Sequence, residues 1–320
     1  MLHKGNVGFE RAGLPTKRKK YRRWIITENL KVYGLALPTL LLIFLFNYTT
    51  IYGIVIAFQD YVPGDPFFGP NVHWVGLKWF VRFMSSHYFV RLLRNTLILS
   101  GYNLAFAFGA PILFALLVDQ LRCRKYKKFI QTACYLPHFV SIVVVVGIVI
   151  AFLQKDGLLT TLLVKMGFEN KNYHQEAGAF RWIYTFTGVW KGFGFGSILY
   201  CSVLSSIDTQ LYEAARLDGA NRGQQVWHIT LPGLKYVIAL NLITTIGGIL
   251  GSNTQMIMLL YTPATYDVAD VIGTYMYRLG ILETQYSYTT AAGLLMGLIG
   301  FLLTFTANKV SNKLTGFGLW

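Results

Sequence analysis

The sequence is poor in charged side chains, which account for only 13% of its 320 residues, and acids are the scarcer sign, with 14 Asp and Glu against 29 Lys and Arg. A soluble domain carries about a quarter charged residues because its surface must be hydrated. Hydrophobic residues instead make up 54% of the chain, and the mean hydropathy is +0.44. These values exclude a disordered chain and a water-soluble enzyme with one buried core, and they place the chain in a lipid bilayer.

Cysteines and catalytic motifs are also scarce. Cys123, Cys134 and Cys201 lie far apart and form no CxxC pair, which excludes a disulfide framework and a zinc site. The six histidines show no ligand spacing, so no metal site is predicted. GxxxxGK[ST], HExxH and GxSxG are all absent. The chain therefore cannot cradle nucleotide phosphates itself, and it is not expected to be an enzyme.

Six stretches are apolar and long enough to cross a hydrocarbon core of about 30 Å, which takes roughly 20 helical residues. They cover about residues 34–58, 96–118, 130–153, 182–205, 235–260 and 287–308. The third contains a β-branched run, but its length and hydropathy favour a helix. The prediction is an all-α polytopic membrane protein with a basic N-terminal segment (1–33), a six-span domain (34–308) and a C-terminal tail (309–320).

Basic residues cluster at the ends of these spans. Nine of the 29 precede residue 34, and five more lie between spans two and three: Arg122, Arg124, Lys125, Lys127 and Lys128. With both termini in the cytoplasm, the inner segments hold 19 basic residues and the outer segments nine, as the positive-inside rule requires. The net charge of +15 thus indicates membrane topology and contact with anionic lipid head groups, not nucleic-acid binding.

Residues 77–94 show helical periodicity outside the spans. One side is expected to carry Leu77, Phe80, Val81, Met84, Tyr88 and Leu92. Two interpretations stay open: an amphipathic helix in the outer membrane interface, or a helix packed on the other spans.

The span cores hold almost no charge. All 14 carboxylates fall outside them, with Asp119 and Asp208 at the edges, and Lys191 is the one charge well inside. Proton-coupled carriers use rows of intramembrane acids, so a carrier driven by ion gradients is disfavoured. The energy source is expected in another protein.

Glycines recur at four-residue spacing in several spans, which lets helix backbones approach closely in lipid. These glycines allow either helix packing within this chain or a sliding interface with a second subunit. They are Gly188, Gly192 and Gly196 in the fourth span, Gly247 and Gly251 in the fifth, and Gly293 and Gly297 in the sixth.

Residues 207–233, on the predicted cytoplasmic side between spans four and five, are expected to form a helix, a turn and a second helix. Asp208 or Thr209 can cap the first helix. Gly219 can end it because glycine adopts a positive φ at little cost. The second helix is expected to run to Pro232 and to end there, before the fifth span begins. The alternative is an ordinary solvated hairpin.

This loop resembles the EAA loop of permease subunits in binding-protein-dependent ABC importers, which carries Glu-Ala-Ala, a glycine four positions later, and Ile-x-Leu-Pro. Seven positions match: Glu213, Ala214, Ala215, Gly219, Ile229, Leu231 and Pro232. The triplet 218–220 and the run 227–232 resemble the carbohydrate-uptake branch of the family. Segments 52–61, 91–96 and 136–139 resemble its oligosaccharide subclass.

The resemblance implies a type I ABC importer permease fold in the bacterial cytoplasmic membrane, working by alternating access. The loop would be the coupling helix, seated in a cleft of a cytoplasmic ATPase dimer that uses ATP and Mg²⁺, while this chain binds no cofactor. A second permease chain of different sequence and an extracytoplasmic solute-binding protein that delivers an oligosaccharide would complete the assembly.

The resemblance also implies which residues meet the ATPase. Glu213 would make a charge-assisted contact to a basic group. The family commonly has aromatics at the positions of Gly223 and Val226, so Trp227 is expected to be the anchor instead. The implied contact set is Glu213, Ala214, Ala215, Asp218, Gly219, Ala220, Trp227, Ile229, Leu231 and Pro232.

Sugars are bound by stacking on aromatic faces and by hydrogen bonds from amides and hydroxyls. The candidates for a solute path are Asn103, Trp190, Lys191, Tyr200, Asn253, Gln255 and Tyr261. Helix–helix hydrogen bonding or an interfacial belt is the alternative for each of them. The rival functions are import of another solute, such as a peptide or a phosphate ester, an ion-coupled carrier, and an intramembrane enzyme.

Overall fold

A computed structural model describes residues 32–121, 123–251 and 253–319. Most of the predicted segment 1–33, and Arg122, lie outside the described residues. The described residues fall into two separate units, 32–55 and 56–319. The regular structure of the described residues is helical, apart from one isolated antiparallel bridge between Gln59 and Trp74, so the all-α prediction is confirmed.

The helices of the described residues follow one another along the chain. They are α1 (Val32–Phe58), α2 (Lys78–Met84), α3 (Phe89–Asp119, with a π-turn at Asn103–Ala107), α4 (Arg124–Phe139), α5 (Ile142–Leu153), α6 (Leu158–Lys165), α7 (Ala177–Ser206), α8 (Thr209–Leu217), α9 (Arg222–Gly247, with a π-turn at Val226–Thr230), α10 (Thr254–Leu260), α11 (Tyr266–Ala269), α12 (Ile272–Tyr277) and α13 (Tyr286–Thr315).

Within the described part of the chain, five helical stretches are long and apolar enough to cross a membrane: α1, α3, Ile142–Lys165, α9 and Tyr286–Lys313. The predicted fourth span coincides with α7, whose 30 residues are long enough to cross. Its glycines, serines and Lys191 make it less apolar than the other five. The six-span count therefore stays a prediction that depends on α7.

Two predicted spans are broken. The third is divided between α4 and α5, because Val140 and Ser141 are extended, with ψ of 137° and 148°. The fifth was predicted to be continuous over about 235–260, and this is wrong, because α9 ends at Gly247 and α10 begins only at Thr254. The glycines at 247, 248 and 251 lower the helix propensity of that stretch.

The segment 77–94 is divided between α2 and the start of α3. Trp79 and Phe83 are buried in a core with Tyr288 of α13, so this side of α2 packs on another helix, while placement in the outer interface stays a prediction. Leu77 and Val81 of the predicted apolar face are 62% and 57% exposed, as a face turned to the membrane interface would be. The two buried aromatics lie on the other side of α2, where their larger area decides the orientation.

Helix α7 packs against α3, α4 and α9 at the centre of unit 56–319. A Cβ added at Gly194 would collide with the backbone of Cys134 in α4, so these two helices meet at backbone distance. Helices α9 and α13 meet similarly, because a Cβ at Gly300 would lie 3.2 Å from the Gly247 carbonyl oxygen. Gly192 and Gly297 have no described atom within 4 Å of their would-be Cβ positions. At those two positions, contact with a second subunit stays a prediction.

Candidate functional site

The hairpin 208–233 comprises α8, a turn and the first part of α9. Asp208 caps α8 by accepting a hydrogen bond from the Gln210 N–H at 2.9 Å. Gly219 ends the turn with φ +79°, a conformation that side chains with a Cβ rarely adopt. Asn221 and Gln224 form a reciprocal capping box at the start of α9. The predicted cap and glycine stop are both present.

Side-chain hydrogen bonds hold the two arms of the hairpin together. The Tyr212 hydroxyl of α8 lies 3.0 Å from Oγ1 of Thr230 in α9. Nε2 of Gln225 donates to the Ala220 carbonyl oxygen at 2.9 Å. Thr230 and Gln225 are both buried. The hairpin is therefore a fixed element and not a loose loop.

The predicted end of the second helix at Pro232 is wrong. Pro232 lies in the first turn of the regular α-helical stretch Leu231–Gly247, which continues directly from the π-turn Val226–Thr230. Proline has no N–H to donate and its ring crowds the preceding turn. The wider π-turn, closed by the bond from the Leu231 N–H to the Val226 carbonyl, accommodates it and lets the helix run through.

Large apolar side chains on the hairpin are exposed. Leu217 is 90% exposed, Trp227 70% and Leu211 53%. An apolar surface on an otherwise polar segment indicates a place where another protein binds. Leu217 was not among the predicted contact residues, although its position just before the glycine stop was the available signal.

Half of the predicted contact residues come together. A cleft of about 290 Å³ is lined by Ala215, Asp218, Gly219, Ala220 and Ile229, together with Gln224, Gln225 and His228. Trp227, Leu231 and Pro232 instead line an apolar groove of about 590 Å³ between α9 and α13. The predicted anchor therefore lies apart from the alanines. Ala214 is exposed on α8.

Glu213 faces a separate polar cleft of about 940 Å³ between the hairpin and the end of α3. Asp119, Arg216 and Arg222 line the same cleft. The cleft therefore carries both acidic and basic groups that a polar segment could contact.

Two of the predicted path residues meet at a residue that the sequence analysis missed. Nδ2 of Asn103 and the backbone N–H of Asn253 both donate to the Tyr184 hydroxyl, each at 3.2 Å. Tyr184 is fully buried. This junction ties the π-turn of α3, the first third of α7 and the start of α10. The only signal in the sequence was a hydroxyl group near the start of the predicted fourth span.

The other path candidates are dispersed. Tyr200 is buried, and its hydroxyl accepts a hydrogen bond from Asn241 at 3.2 Å. Trp190 lines an apolar groove of about 520 Å³ with Trp182 and Phe186. Gln255 is exposed and Tyr261 is half-buried. Lys191 donates to carbonyl oxygens of the broken third span.

A buried charge cluster lies at the opposite end of α3 from the hairpin. The Asp270 carboxylate is fully buried and pairs with Arg278 at 3.1 Å and with Arg91 at 3.6 Å. Burial lowers the pKa of the Arg278 guanidinium, but the hydrogen bond and charge of Asp270 outweigh it and leave that pKa above its usual value. Nδ2 of Asn95 donates to the backbone carbonyl of Asp270, which joins α3 to this cluster.

Comparison with known proteins identifies the family. Residues 107–316 match the family described as "Binding-protein-dependent transport system inner membrane component". The chain belongs to this family. The predicted resemblance to permease subunits of binding-protein-dependent ABC importers is thereby confirmed.

Relatives and solved structures agree with that assignment. The chain is 39% identical over 307 residues to the polygalacturonan/rhamnogalacturonan transport system permease protein YteP of Bacillus subtilis, covering 95% of each. A chain in the crystal structure of a bacterial ABC transporter involved in import of the acidic polysaccharide alginate matches with a TM-score of 0.82 and 38% identity, over 92% of this chain and 99% of that one.

A second solved structure is that of a bacterial alginate ABC transporter in complex with an alginate pentasaccharide-bound periplasmic protein. Its matching chain gives a TM-score of 0.83 and 37% identity, over 92% of this chain and 98% of that one. These matches confirm the predicted type I ABC importer permease fold.

Proposed function

We propose that the chain is a permease subunit of an ATP-driven importer for oligosaccharides. The observation that carries this proposal is the likeness in fold and sequence to the alginate importer chain, which extends over nearly the whole of both proteins. An extracytoplasmic solute-binding protein delivers the sugar, and the permease pair moves it by alternating access. The assembly lies in the bacterial cytoplasmic membrane, with both ends of this chain inside.

The substrate is an oligosaccharide that carries carboxylates. Two relatives support this class: one is a permease protein for polygalacturonan and rhamnogalacturonan, and the other belongs to an importer of an acidic polysaccharide.

The hairpin 208–233 receives the movement of a cytoplasmic ATPase. Its exposed Leu217 and Leu211 supply apolar area to an ATPase subunit, while the cleft beside Gly219 admits a close backbone approach. ATP and Mg²⁺ are bound by that partner. A second permease chain of different sequence completes the membrane part, and Glu213 contacts a basic group of the ATPase from the neighbouring polar cleft.

Reconstitution in liposomes tests the proposal. Liposomes containing this chain, its partner permease and the ATPase are loaded with ATP and Mg²⁺, and the solute-binding protein is supplied outside. Oligogalacturonate or oligo-alginate uptake is expected, and it should cease when either ATP or the binding protein is omitted. Uptake driven by a proton or sodium gradient alone, or uptake of peptides or phosphate esters but not sugars, would reject it. A neutral oligosaccharide of equal length should be taken up less than the acidic one, and equal uptake of the two would reject the acidic substrate class.

A further inference from the structure

The break in the third span leaves carbonyl groups without partners from their own helix. Helix α4 ends at Phe139, with Pro137 inside its last turn, and Val140 and Ser141 are extended before α5 begins. The last four carbonyls of any helix lack intrahelical donors. Inside a bilayer no bulk water replaces them, so another part of the protein must supply donors.

Lys191 of α7 supplies these donors. Its Nζ atom donates to the Val140 carbonyl oxygen at 2.6 Å, to that of His138 at 2.8 Å and to that of Pro137 at 3.5 Å. An ammonium group has three N–H donors and no acceptor. Lys191 thus meets three carbonyls around a single break, of which that of Pro137 also accepts from the Val140 N–H at 3.3 Å.

The electrostatics of the break favour a cation. The carbonyl end of a helix carries a partial negative charge. Some ion-coupled transporters bind an exchangeable cation at such a site, formed by a broken helix in the membrane. Here the position is filled by an ammonium group that is covalently part of α7.

The packing around Lys191 fixes the position of its side chain relative to the break in the third span. Three residues further along α7, Gly194 lies against the backbone of Cys134, so α7 and α4 are already in backbone contact there. One turn from Lys191, the Phe195 ring stacks on His138 with centroids 3.9 Å apart and an interplanar angle of 3°. The break and the lysine are therefore held in one register by contacts on the same side of α7.

We propose that Lys191 is a positioning residue: it is a built-in cation that holds the α4–α5 break at a fixed bend, and it acts through the backbone of the third span without touching the solute. The transport part of this proposal rests on the proposed function. The conformational part does not, because it concerns the bend itself.

The bend is measured by the distance between spin labels on α4 and beyond α6. Labels replace Tyr126 and Met166, which are 67% and 73% exposed, in full-length chain lacking native cysteines and placed in lipid nanodiscs. Pulsed electron paramagnetic resonance should give one narrow distance distribution. Lys191→Met should broaden it or shift its maximum. Lys165→Met, which removes the same charge from an exposed site, should leave it unchanged. Superimposable distributions for Lys191→Met and the parent chain would overturn the proposal.

Transport kinetics separate positioning from solute contact. In the reconstituted assembly, Lys191→Met should lower the turnover number at least tenfold and leave the KM for the sugar within about twofold. Lys191→Arg, which keeps a charged donor, should recover most of the turnover. A raised KM with normal turnover would instead make Lys191 a sugar contact and reject the proposal.

Chemical rescue keeps the proposal testable if Lys191→Met folds poorly. Lys191→Ala leaves space beside the three carbonyls, and n-propylammonium added to the liposomes should restore turnover saturably, whereas n-propanol should not. Equal rescue by both, or by neither in a variant that folds normally, counts against a cation at the break. An assembly whose unaltered chain moves no sugar refutes the proposed function, whereas the spin-label distances test the bend independently.

Discussion

The Tyr212 hydroxyl lies 3.0 Å from Oγ1 of Thr230 and joins the two arms of the hairpin 208–233. Tyr212 belongs to α8, which carries the exposed Leu217, and Thr230 belongs to the helix that continues into the membrane. A push on α8 therefore passes to α9 through a direct contact as well as through the turn. A hairpin that transmits force needs such a cross-connection.

Tyr212→Phe should weaken transmission without unfolding the chain. The lost hydrogen bond contributes about 1 kcal/mol, so the melting temperature should change little. Sugar moved per ATP hydrolysed should fall two- to threefold in the reconstituted assembly. Thr230→Val removes the same bond from the other side, and the double variant should be no worse than the more affected single variant. Additive losses would show that the two residues act separately.

Leu217→Ser should weaken binding of the ATPase subunit. Burying a leucine contributes about 2 kcal/mol, which corresponds to roughly thirtyfold in affinity. Titration of the purified ATPase onto nanodisc-embedded permease measures this loss. Met166→Ser, a change at a similarly exposed apolar residue far along the chain, provides the control. Unaltered affinity in Leu217→Ser would remove this residue from the interface.

Gly219→Ala should disturb the turn through backbone strain alone. No described atom lies within 4 Å of the added Cβ, but the φ of +79° is costly for a residue with a Cβ, by about 1–2 kcal/mol. ATP hydrolysis should continue while sugar uptake falls several-fold. Gly219→Asn is the matched variant, because asparagine tolerates positive φ, and it should retain more uptake than alanine does. Equal activity in all three proteins would contradict a role for this turn geometry.

His174 should make the stability of the chain depend on pH. Burial lowers the pKa of its imidazole below the usual 6.5, and its Nδ1 atom is buried without a hydrogen-bond partner in the described residues. The unfolded chain then binds the proton more readily than the folded chain. Stability is complete above pH 6.5 and declines as the pH falls through the lowered pKa.

Melting temperatures of detergent-solubilised protein between pH 5 and pH 8 measure this dependence. His174→Gln should flatten the acid side of the profile relative to the unaltered chain. A variant profile that falls just as steeply would assign the loss to other groups.

Local backbone chemistry explains what could be predicted from the sequence. Asp208 caps a helix because its short acceptor reaches the next turn, and Gly219 ends one because positive φ is inexpensive for glycine; both effects need only neighbouring residues. The positions of the spans could be predicted because the length of an apolar run likewise depends only on consecutive residues. The family pattern in residues 213–232 then supplied the fold.

Tertiary contacts explain what could not be predicted. Pro137 and the N-cap Ser141 are local signals for a break near Val140, but no local signal shows that Lys191, about 50 residues away, donates to the carbonyls at that break. Pro232 was expected to end a helix, but a π-turn accommodates it. Tyr184 gains its importance only where Asn103 and Asn253 converge on it. The partners of Tyr184 and of the break at Val140 lie far away in the sequence, whereas the π-turn before Pro232 is local but has no recognisable sequence pattern.

The docking of the hairpin on an ATPase is tested most directly by photo-crosslinking from Leu217. A photoreactive residue at this position, in the assembled importer within lipid, should crosslink to the ATPase subunit, and the yield should change when ATP is added. The same probe at Met166 should give no ATPase crosslink. A Leu217 probe that reacts only with lipid or solvent, in an assembly that hydrolyses ATP and imports sugar, would contradict the account.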